Sequence, residues 1–183
     1  MPVNAPNDNL NIEAPSFNLL NVDNNYVSID QAKGKHGTVI AFICNHCPYV
    51  KAIASRLKKD SDDLLKDSIN TIAIMSNDVE KYPEDSFENM KIFSDKYKFN
   101  FPYLFDETQE IAKKYNAACT PDIFGFDKDM VLKYRGRLDS GVMNSNNNQE
   151  INRELYEAMI KIKKEGTGPL NQINSIGCSI KWK

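Results

Sequence analysis

The stretch Thr38-Val39-Ile40-Ala41-Phe42-Ile43-Cys44-Asn45-His46-Cys47-Pro48 decides the fold of this chain. Its first part, residues 38–43, is an apolar and β-branched run that predicts a buried strand. The C-x-x-C of Cys44 and Cys47 follows this strand, and the next apolar residues repeat on one face of a helix, namely Val50, Ile53, Ala54 and Leu57. A C-x-x-C between a strand and a helix is typical of a redox site.

The position of the two cysteines predicts a lowered thiol pKa. Unpaired N–H groups and the positive end of the helix dipole favour a thiolate in the first helical turn. An ordinary thiol with a pKa of about 8.5 is about 3% ionised at pH 7, whereas a thiol with a pKa of about 7 is half ionised. We expect Cys44, at the end of the strand, to be the exposed attacking sulfur. We expect Cys47, about one turn further in, to be partly buried and to act as the resolving thiol.

His46 lies inside the motif and has two interpretations. As a cation beside Cys44 it would stabilise the thiolate and make the disulfide more oxidising. Alternatively, it is a solvated loop histidine without a redox role. The sequence leaves both open.

Length, charge and cysteine content limit the class of protein. At 183 residues the chain is expected to form one domain over 1–183 that needs no disulfide framework. Four cysteines, one close pair and two single residues, fit catalytic thiols in a reducing compartment, and no secretory signal is visible, so we expect a cytoplasmic protein.

No apolar run reaches about 18 residues, which excludes a membrane span. The net charge of −2, with scattered Lys and Arg, gives no reason to expect a nucleic acid or anionic lipid partner, and we expect no cofactor.

The order of the remaining patterns predicts an α/β fold, with a mixed sheet covered by helices on both faces. Strand, helix and strand over residues 38–75 predict a parallel pair with a crossover helix. Asp106 and Gln109 stand at capping-box spacing. The predicted elements are a loose arm (1–12), an N-terminal hairpin (14–29), strands (38–43, 69–75, 101–105), helices (48–60, from Pro83, 106–117, 149–164), a second hairpin (123–134), a loop (144–148) and a tail (166–183).

A second motif, Cys119-Thr120-Pro121-Asp122, immediately precedes the second hairpin. With it, the chain resembles the thioredoxin-like superfamily, in the branch related to peroxiredoxins and membrane-tethered thiol reductases. It is most similar there to peroxiredoxin-like proteins, related to alkyl hydroperoxide reductase and thiol-specific antioxidant, that carry a C-N-H-C-P-Y-V motif and a G-C-x-I-K-W tail. The resemblance covers about residues 10 to 165, and the residues that carry it include Ala14-Pro15-x-Phe17-x-Leu19, Gly34-Lys35, Cys44 to Val50, Thr120-Pro121, the Asp127 turn and Gly177 to Trp182.

The resemblance implies a thioredoxin-like fold and a cis bond between Thr120 and Pro121, which costs about 0.5–1 kcal/mol before proline. It also implies that the backbone of Thr120 is open to pair with a substrate chain as an added strand. A plain trans turn proline is the alternative.

The chain also departs from the peroxiredoxin pattern P-x-x-x-T-x-x-C. If Cys47 takes the peroxidatic place, Cys44 stands at the Thr position and Ile40 at the Pro position, and no Arg lies near Thr120. The chain also lacks the Trp and the Gly-Pro that mark ordinary thioredoxins. Peroxide reduction by the usual mechanism is therefore not indicated.

Two further cysteines belong to the candidate site. Cys119 precedes the expected cis-proline by two residues, so in this fold it would lie close to the pair; the alternative is a small buried core residue. Cys178 lies in a tail that also holds Trp182, the only tryptophan. This apolar tail is expected to dock on the domain or on a second copy in a homodimer. Docking either brings Cys178 to the site or only anchors the tail.

Three functions remain open. The first is a thiol–disulfide oxidoreductase that acts on a protein or small-molecule disulfide and is reset by a thioredoxin or glutathione system. The second is an atypical, antioxidant thiol peroxidase, in which Cys44 forms a sulfenic acid that condenses with Cys47 or Cys178. The third is copper(I) or zinc binding by Cys44, His46, Cys47 and Cys119, with His36 the only other histidine. Of the three, the sequence favours disulfide exchange.

Overall fold

The computed structural model describes residues 2–6, 10–143 and 150–183. Its elements confirm the predicted α/β class. In chain order they are β1 (Pro2–Asn4), β2 (Asn18–Asn21), β3 (Tyr26–Ser28), α1 (Ile29–Ala32), β4 (Gly37–Phe42), α2 (Pro48–Leu65), β5 (Ile69–Met75), a 3₁₀ turn (Pro83–Asp85), α3 (Phe87–Tyr97), β6 (Tyr103–Phe105), α4 (Glu110–Lys114), β7 (Cys119–Thr120), β8 (Asp122–Phe126), β9 (Leu132–Gly136), α5 (Glu154–Glu165) and β10 (Ile176–Ser179).

The main sheet is mixed, as predicted. Within the described part of the chain it has seven strands in the order β3-β2-β6-β5-β4-β8-β9. β4 and β5 are parallel and joined by α2, which confirms the predicted pair, and the two predicted hairpins form as β2–β3 and β8–β9. Every residue of the central strand β4 is buried, as its apolar sequence predicts. Because β4 leads directly into the C-x-x-C, the site lies at the carboxyl end of the centre of the sheet.

Helices cover both faces of the sheet, as predicted. α2, α3 and α5 contribute to one hydrophobic cluster, and α1 and α4 contribute to a second one. The predicted helical stripe of α2 is buried in the first cluster through Val50, Ile53, Ala54 and Leu57. Burial of this stripe fixes the orientation of the helix that begins at the C-x-x-C.

Several helix boundaries differ from the prediction. Pro83 opens a 3₁₀ turn rather than the helix, because Ser86 caps α3 by accepting a hydrogen bond from the N–H of Asn89. α2 continues to Leu65, beyond the predicted end at residue 60. α5 begins at Glu154; the predicted start at Gln149 and the predicted loop over 144–148 lie outside the described residues.

The predicted capping box of Asp106 and Gln109 is wrong. The carboxylate of Asp106 accepts hydrogen bonds from the N–H groups of Ile111 and Ala112, at 3.3 and 2.9 Å, so it holds the start of α4 without its predicted partner. Gln109 adopts a left-handed conformation (φ 65°), and its amide donates to the carbonyl oxygen of Lys181. The Gln109 side chain therefore binds the C-terminal tail instead of the helix.

The two ends of the chain meet in a second, smaller sheet with the order β1-β10-β7. The expectation of a loose arm is wrong for Pro2–Asn4, because these residues pair with β10. The tail strand β10 lies between β1 and β7, and Ile180 after it is buried in the second cluster. Among the described residues, no helix combines the length and apolar character that a membrane crossing needs.

Candidate active site

The C-x-x-C lies between the end of β4 and the start of α2. Cys47 is the N-cap residue of α2, and Pro48 occupies the first turn, where its missing N–H costs no hydrogen bond. The N-cap position has no side-chain hydrogen bond of the usual kind. The Cys47 sulfur therefore stands where a helix favours an anion.

Thr120 contacts both sulfurs of the motif. The peptide bond between Thr120 and Pro121 is cis, which confirms the expectation from the resemblance. The Thr120 hydroxyl lies 3.2 Å from the sulfur of Cys44, and the thiol form of Cys47 donates to the Thr120 carbonyl oxygen at 3.1 Å. The structure therefore brings four predicted site residues together: Cys44, Cys47, Thr120 and Pro121.

Both sulfurs of the motif are shut off from solvent. Cys44 and Cys47 each have a relative exposure of 0%, so the expectation that Cys44 surfaces at the strand end is wrong. The 3₁₀ turn explains the burial on one side, because the carboxylate of Asp85 binds the backbone N–H groups of Asn45 and His46. The tail strand covers the other side.

The two thiols have opposite pKa shifts. The Cys44 thiol donates a hydrogen bond to the sulfur of Cys47, and this lowers the pKa of Cys47 to about 5 against the opposing effect of burial. The pKa of Cys44 is raised, first because its thiol proton is hydrogen-bonded to the Cys47 sulfur. Burial of Cys44 and the nearby Asp85 carboxylate raise it further. The predicted lowering of a thiol pKa therefore occurs at Cys47, and not at Cys44, the sulfur expected to attack.

Further donors support the Cys47 thiolate. The thiol of Cys178 and the backbone N–H groups of Val50 and Cys178 all contribute to the lowered pKa of Cys47. When Cys47 ionises, it loses its hydrogen bond to the carbonyl oxygen of Thr120, and these donors replace that bond. The Val50 contribution is the helix-start effect that the sequence predicts for the C-x-x-C, and it acts on Cys47.

Asp85 is a site residue that sequence reasoning missed. It is fully buried, and its carboxylate accepts hydrogen bonds from the N–H of Asn45 (2.7 Å), the N–H of His46 (3.2 Å), the ring Nδ1 of His46 (2.6 Å) and the amide of Asn77 (2.7 Å). It lies 39 residues from His46 along the chain, in a polar stretch that looks like a surface helix start. No local pattern identifies it.

His46 is held by this network. Besides its bond to Asp85, its ring stacks on Tyr82 with 5.7 Å between ring centroids, and its side chain is only 25% exposed. The interpretation of His46 as a solvated loop residue is therefore wrong. Its redox role stays a prediction.

The metal hypothesis gains little from the geometry. Ligand atoms of Cys44, His46 and Asp85 lie within 4.8 Å of one another, and thiolate, imidazole and carboxylate are zinc ligands. However, the Asp85 oxygens already accept four hydrogen bonds, one of them from the His46 nitrogen that would have to bind the ion. Cys119, a member of the predicted metal set, instead directs its sulfur to the carbonyl oxygen of Pro121 at 3.4 Å.

Cys119 has the properties of a core residue. It is fully buried, and burial, together with the nearby Asp122 carboxylate, raises the pKa of its thiol. It lies beside the site, as expected from its position before Pro121, but nothing activates it.

The tail brings Cys178 to the site. In the pairing of β10 with β7, Cys178 lies opposite Thr120, and Ser179 lies opposite Cys119. The expectation that the backbone of Thr120 is open to a substrate chain is wrong for this structure, because the protein's own tail occupies that edge. Burial and the neighbouring Cys47 raise the pKa of Cys178 to about 11.

A small, mostly apolar pocket opens next to this loop. Pro121 and Ile176 line it together with Tyr49, Ile53 and Leu138. The charged groups at its edge are already paired, because Arg137 binds Glu154 and Asp139 binds Arg56. The pocket therefore offers an apolar surface beside the cis-proline.

Comparison with known proteins finds a matching family and similar structures that cover all or nearly all of the chain. A model described as the AhpC/TSA family matches residues 10–135. An uncharacterized conserved protein from Geobacillus kaustophilus is 45% identical, with a TM-score of 0.92 over 100% of this chain and 97% of that one. A hypothetical protein from Sinorhizobium meliloti 1021 is 32% identical, with a TM-score of 0.91 over 98% of each chain.

A secreted disulfide oxidoreductase of Mycobacterium tuberculosis shares the fold at 19% identity, with a TM-score of 0.54 over 64% of this chain and 80% of that one. A comparison with curated proteins finds no match.

Proposed function

The chain belongs to the AhpC/TSA family of thioredoxin-fold oxidoreductases, and from this premise we propose that it is a thiol–disulfide oxidoreductase whose exchanging dithiol is Cys44 and Cys47. One observation carries the proposal. The two sulfurs share a proton at the start of α2, which leaves Cys47 with a pKa of about 5 and Cys44 as its hydrogen-bond donor. At neutral pH the pair thus holds one thiolate and one thiol, the form from which disulfide exchange starts.

The roles of the two cysteines follow from their protonation. The Cys47 thiolate attacks a sulfur of a disulfide and releases the other sulfur as a thiolate. That leaving thiolate takes the proton of Cys44, and the Cys44 sulfur then attacks Cys47 and displaces the second substrate sulfur. The thiolate and the thiol of the pair become one disulfide, and the substrate disulfide becomes one thiol and one thiolate.

Two kinds of partner follow from this reaction. The oxidised pair needs a dithiol or thiol reductant, for which a thioredoxin or glutathione system is the chemical match. Such a system operates in reducing compartments such as the cytoplasm, which suits four free cysteines. The oxidising substrate is a protein or small-molecule disulfide.

A peroxidase is the second candidate, because the ionised sulfur, Cys47, stands at the peroxidatic place of the P-x-x-x-T-x-x-C pattern. A small peroxide would convert the Cys47 thiolate to a sulfenic acid, and Cys44 or Cys178 would condense with it to release water. The nearest substitute for the usual Thr is Cys44 itself, whose thiol points to Cys47. The site thus replaces the hydroxyl that orients a peroxide with a second redox group, which favours disulfide exchange.

A side-by-side assay tests the proposal. Reduced protein is mixed with oxidised glutathione or with hydrogen peroxide, and thiol loss and peroxide consumption are measured. We expect faster reaction with the disulfide, loss of both reactions in Cys47→Ser, and, in Cys44→Ser, accumulation of Cys47 in a disulfide with a sulfur other than that of Cys44. Cys119→Ala is the matched control, because it removes a buried thiol that nothing activates, and it should keep the activity.

Peroxide consumption without disulfide reduction would establish the second candidate instead. Full activity of Cys47→Ser with both substrates would remove the dithiol from the mechanism.

A further inference from the structure

The tail places a third thiol on the same side as the buried pair. Residues directly opposite each other in an antiparallel sheet project their side chains to the same face. Cys178 lies opposite Thr120, and the Thr120 hydroxyl contacts the sulfur of Cys44 at 3.2 Å. The side chain of Cys178 therefore lies on the face of β10 that meets the C-x-x-C, within hydrogen-bonding contact of Cys47.

The tail is held firmly in this position. Gly177 packs so closely on the loop that a Cβ there would overlap the carbonyl group of Thr120. Beyond the strand, the N–H of Lys181 donates to the side chain of Asn77 at 2.9 Å, and its carbonyl oxygen accepts from the N–H of Asp78 at 2.8 Å. On its other edge β10 is paired with β1. Cys178 is thus a fixed part of the site.

Exposure separates Cys178 from the other cysteines. All four cysteines lie in the described part of the chain, and Cys178 alone is partly exposed, whereas Cys44, Cys47 and Cys119 are buried. A molecule the size of glutathione approaching the site therefore meets Cys178 before it meets the pair.

We propose that Cys178 is the thiol through which the buried Cys44–Cys47 pair exchanges electrons with external thiols and disulfides, with a Cys47–Cys178 disulfide as the intermediate. This inference rests on the proposed function and replaces direct attack of Cys47 on the substrate disulfide with a relay through Cys178.

The exchange steps balance. Cys178 attacks an external disulfide RSSR while Cys47 accepts its proton, giving Cys178–S–S–R and RS⁻. RS⁻ takes the proton from Cys47, which attacks the Cys178 sulfur and displaces a second RS⁻, forming the Cys47–Cys178 disulfide. Cys44 then attacks Cys47, releases the Cys178 thiolate and gives its proton to the second RS⁻. The net change is RSSR to two RSH and the Cys44 thiol and Cys47 thiolate to a disulfide, with one proton taken up from the solvent. The Cys178 thiolate left by the last step regains its proton from the solvent.

The reverse direction explains why Cys47 is the more acidic sulfur. An external thiolate attacks the Cys178 sulfur of the Cys47–Cys178 disulfide, and Cys47 leaves. A sulfur of lower pKa leaves faster, and Cys47 has a pKa of about 5 against about 11 for Cys178. The arrangement directs attack to the exposed sulfur and departure to the buried one.

Peptide mass spectrometry after acid quenching tests this route, with oxidised glutathione as the oxidant. In the wild type, the Cys44–Cys47 disulfide should appear; in Cys178→Ser, its rate of formation should fall by at least about tenfold. In Cys44→Ser, the Cys47–Cys178 disulfide should accumulate, and glutathione should be found on Cys178 before it.

A matched variant controls for the geometry. Cys178→Ser combined with Ser179→Cys moves the thiol one position along β10, to the opposite face of the strand, so it should not restore the rate. Thermal unfolding of each variant verifies that the tail strand remains folded.

The outcomes separate the two proposals. If the wild type and Cys178→Ser form the Cys44–Cys47 disulfide at equal rates, the route through Cys178 is overturned and the proposed function stands. Glutathione found first on Cys47 would do the same. A wild type that forms no Cys44–Cys47 disulfide overturns the proposed function and this inference with it.

Discussion

The two cysteines of one C-x-x-C stand in different environments, which we call the acidic side and the helix side. The acidic side comprises Cys44 and the buried Asp85 carboxylate with its donors. The helix side comprises Cys47, the N–H groups at the start of α2, and Cys178 of the tail. Two residues of the same type, three positions apart, thus have pKa values shifted in opposite directions. When the pKa values of two neighbouring groups are shifted in opposite directions, one group keeps its proton and the other can act as the nucleophile.

The acidic side works by keeping a charge away from Cys44. A buried carboxylate beside a thiol disfavours a second anion at short range. Asp85 stays buried because four donors satisfy its oxygens, as burial of a carboxylate requires. The negative charge of the pair is therefore shifted to Cys47, where backbone donors receive it.

The largest expected effect is on the pH dependence of alkylation. With a pKa of about 5, Cys47 is almost fully ionised at pH 6.5, whereas an ordinary thiol of pKa about 8.5 is about 1% ionised there. Ionisation is complete above the lowered pKa, so labelling of Cys47 by iodoacetamide should rise through about pH 5 and then level off. Labelling of Cys178, whose pKa is raised to about 11, should instead keep rising into alkaline solution. Peptide mass spectrometry at each pH measures both.

Labelling of Cys44 before Cys47 would contradict this comparison and restore the assignment expected from the sequence. The buried Cys119 is the internal control, since its raised pKa should keep it unlabelled at any pH at which the protein stays folded.

The tail on the helix side gives the next largest effect. Gly177→Ala adds a Cβ that overlaps the Thr120 carbonyl group, so β10 must shift away from β7. Overpacking of this kind costs about 1–3 kcal/mol. We expect a lower free energy of unfolding in denaturant titration, together with faster alkylation of Cys47 because its cover has moved.

Gly166→Asn is the matched control for that glycine. Gly166 is left-handed (φ 73°) with nothing within 4 Å of its Cβ position, and asparagine tolerates that conformation. It should change neither stability nor alkylation. Unchanged alkylation in Gly177→Ala, despite reduced stability, would mean that the tail does not limit access to Cys47.

Local patterns predicted the fold well and the site only in part. Strand β4 and the stripe of α2 follow from hydrophobic periodicity, and the motif resemblance placed Thr120 and Pro121 against the cysteines. The burial of Cys44 depends on the 3₁₀ turn, and the contact between Cys47 and Cys178 depends on the tail. Both segments are far from the motif in sequence, and neither has a hydrophobic periodicity that would predict these contacts. Asp85 was missed for the same reason: its burial requires donors from Asn45, His46 and Asn77, and the stretch around it looks like a polar surface.

Removing the charge on the acidic side should make the pair more oxidising. Asp85→Asn keeps the size of the side chain and removes a buried negative charge beside a pair whose reduced form itself carries one negative charge. The reduced form gains stability, and the reduction potential rises by about 30 mV for each 1.4 kcal/mol of added thiolate stabilisation. Redox titration against glutathione measures the change. A fall in the potential would show that the carboxylate acts by ordering the loop and not by its charge.

His46→Ala should shift the potential in the opposite direction and by less. The imidazole contacts Asp85 at 2.6 Å, so its removal leaves the carboxylate uncompensated near Cys44, destabilises the thiolate and makes the pair more reducing. The effect is smaller than that of Asp85→Asn because the ring is 25% exposed and solvent partly replaces it. His36→Ala is the matched control: His36 binds the carbonyl oxygen of Asp67, away from the site, and its loss should leave the potential unchanged. Equal potentials for His46→Ala and the wild type would mean that the histidine only packs against Tyr82, and that the acidic side consists of Asp85 alone.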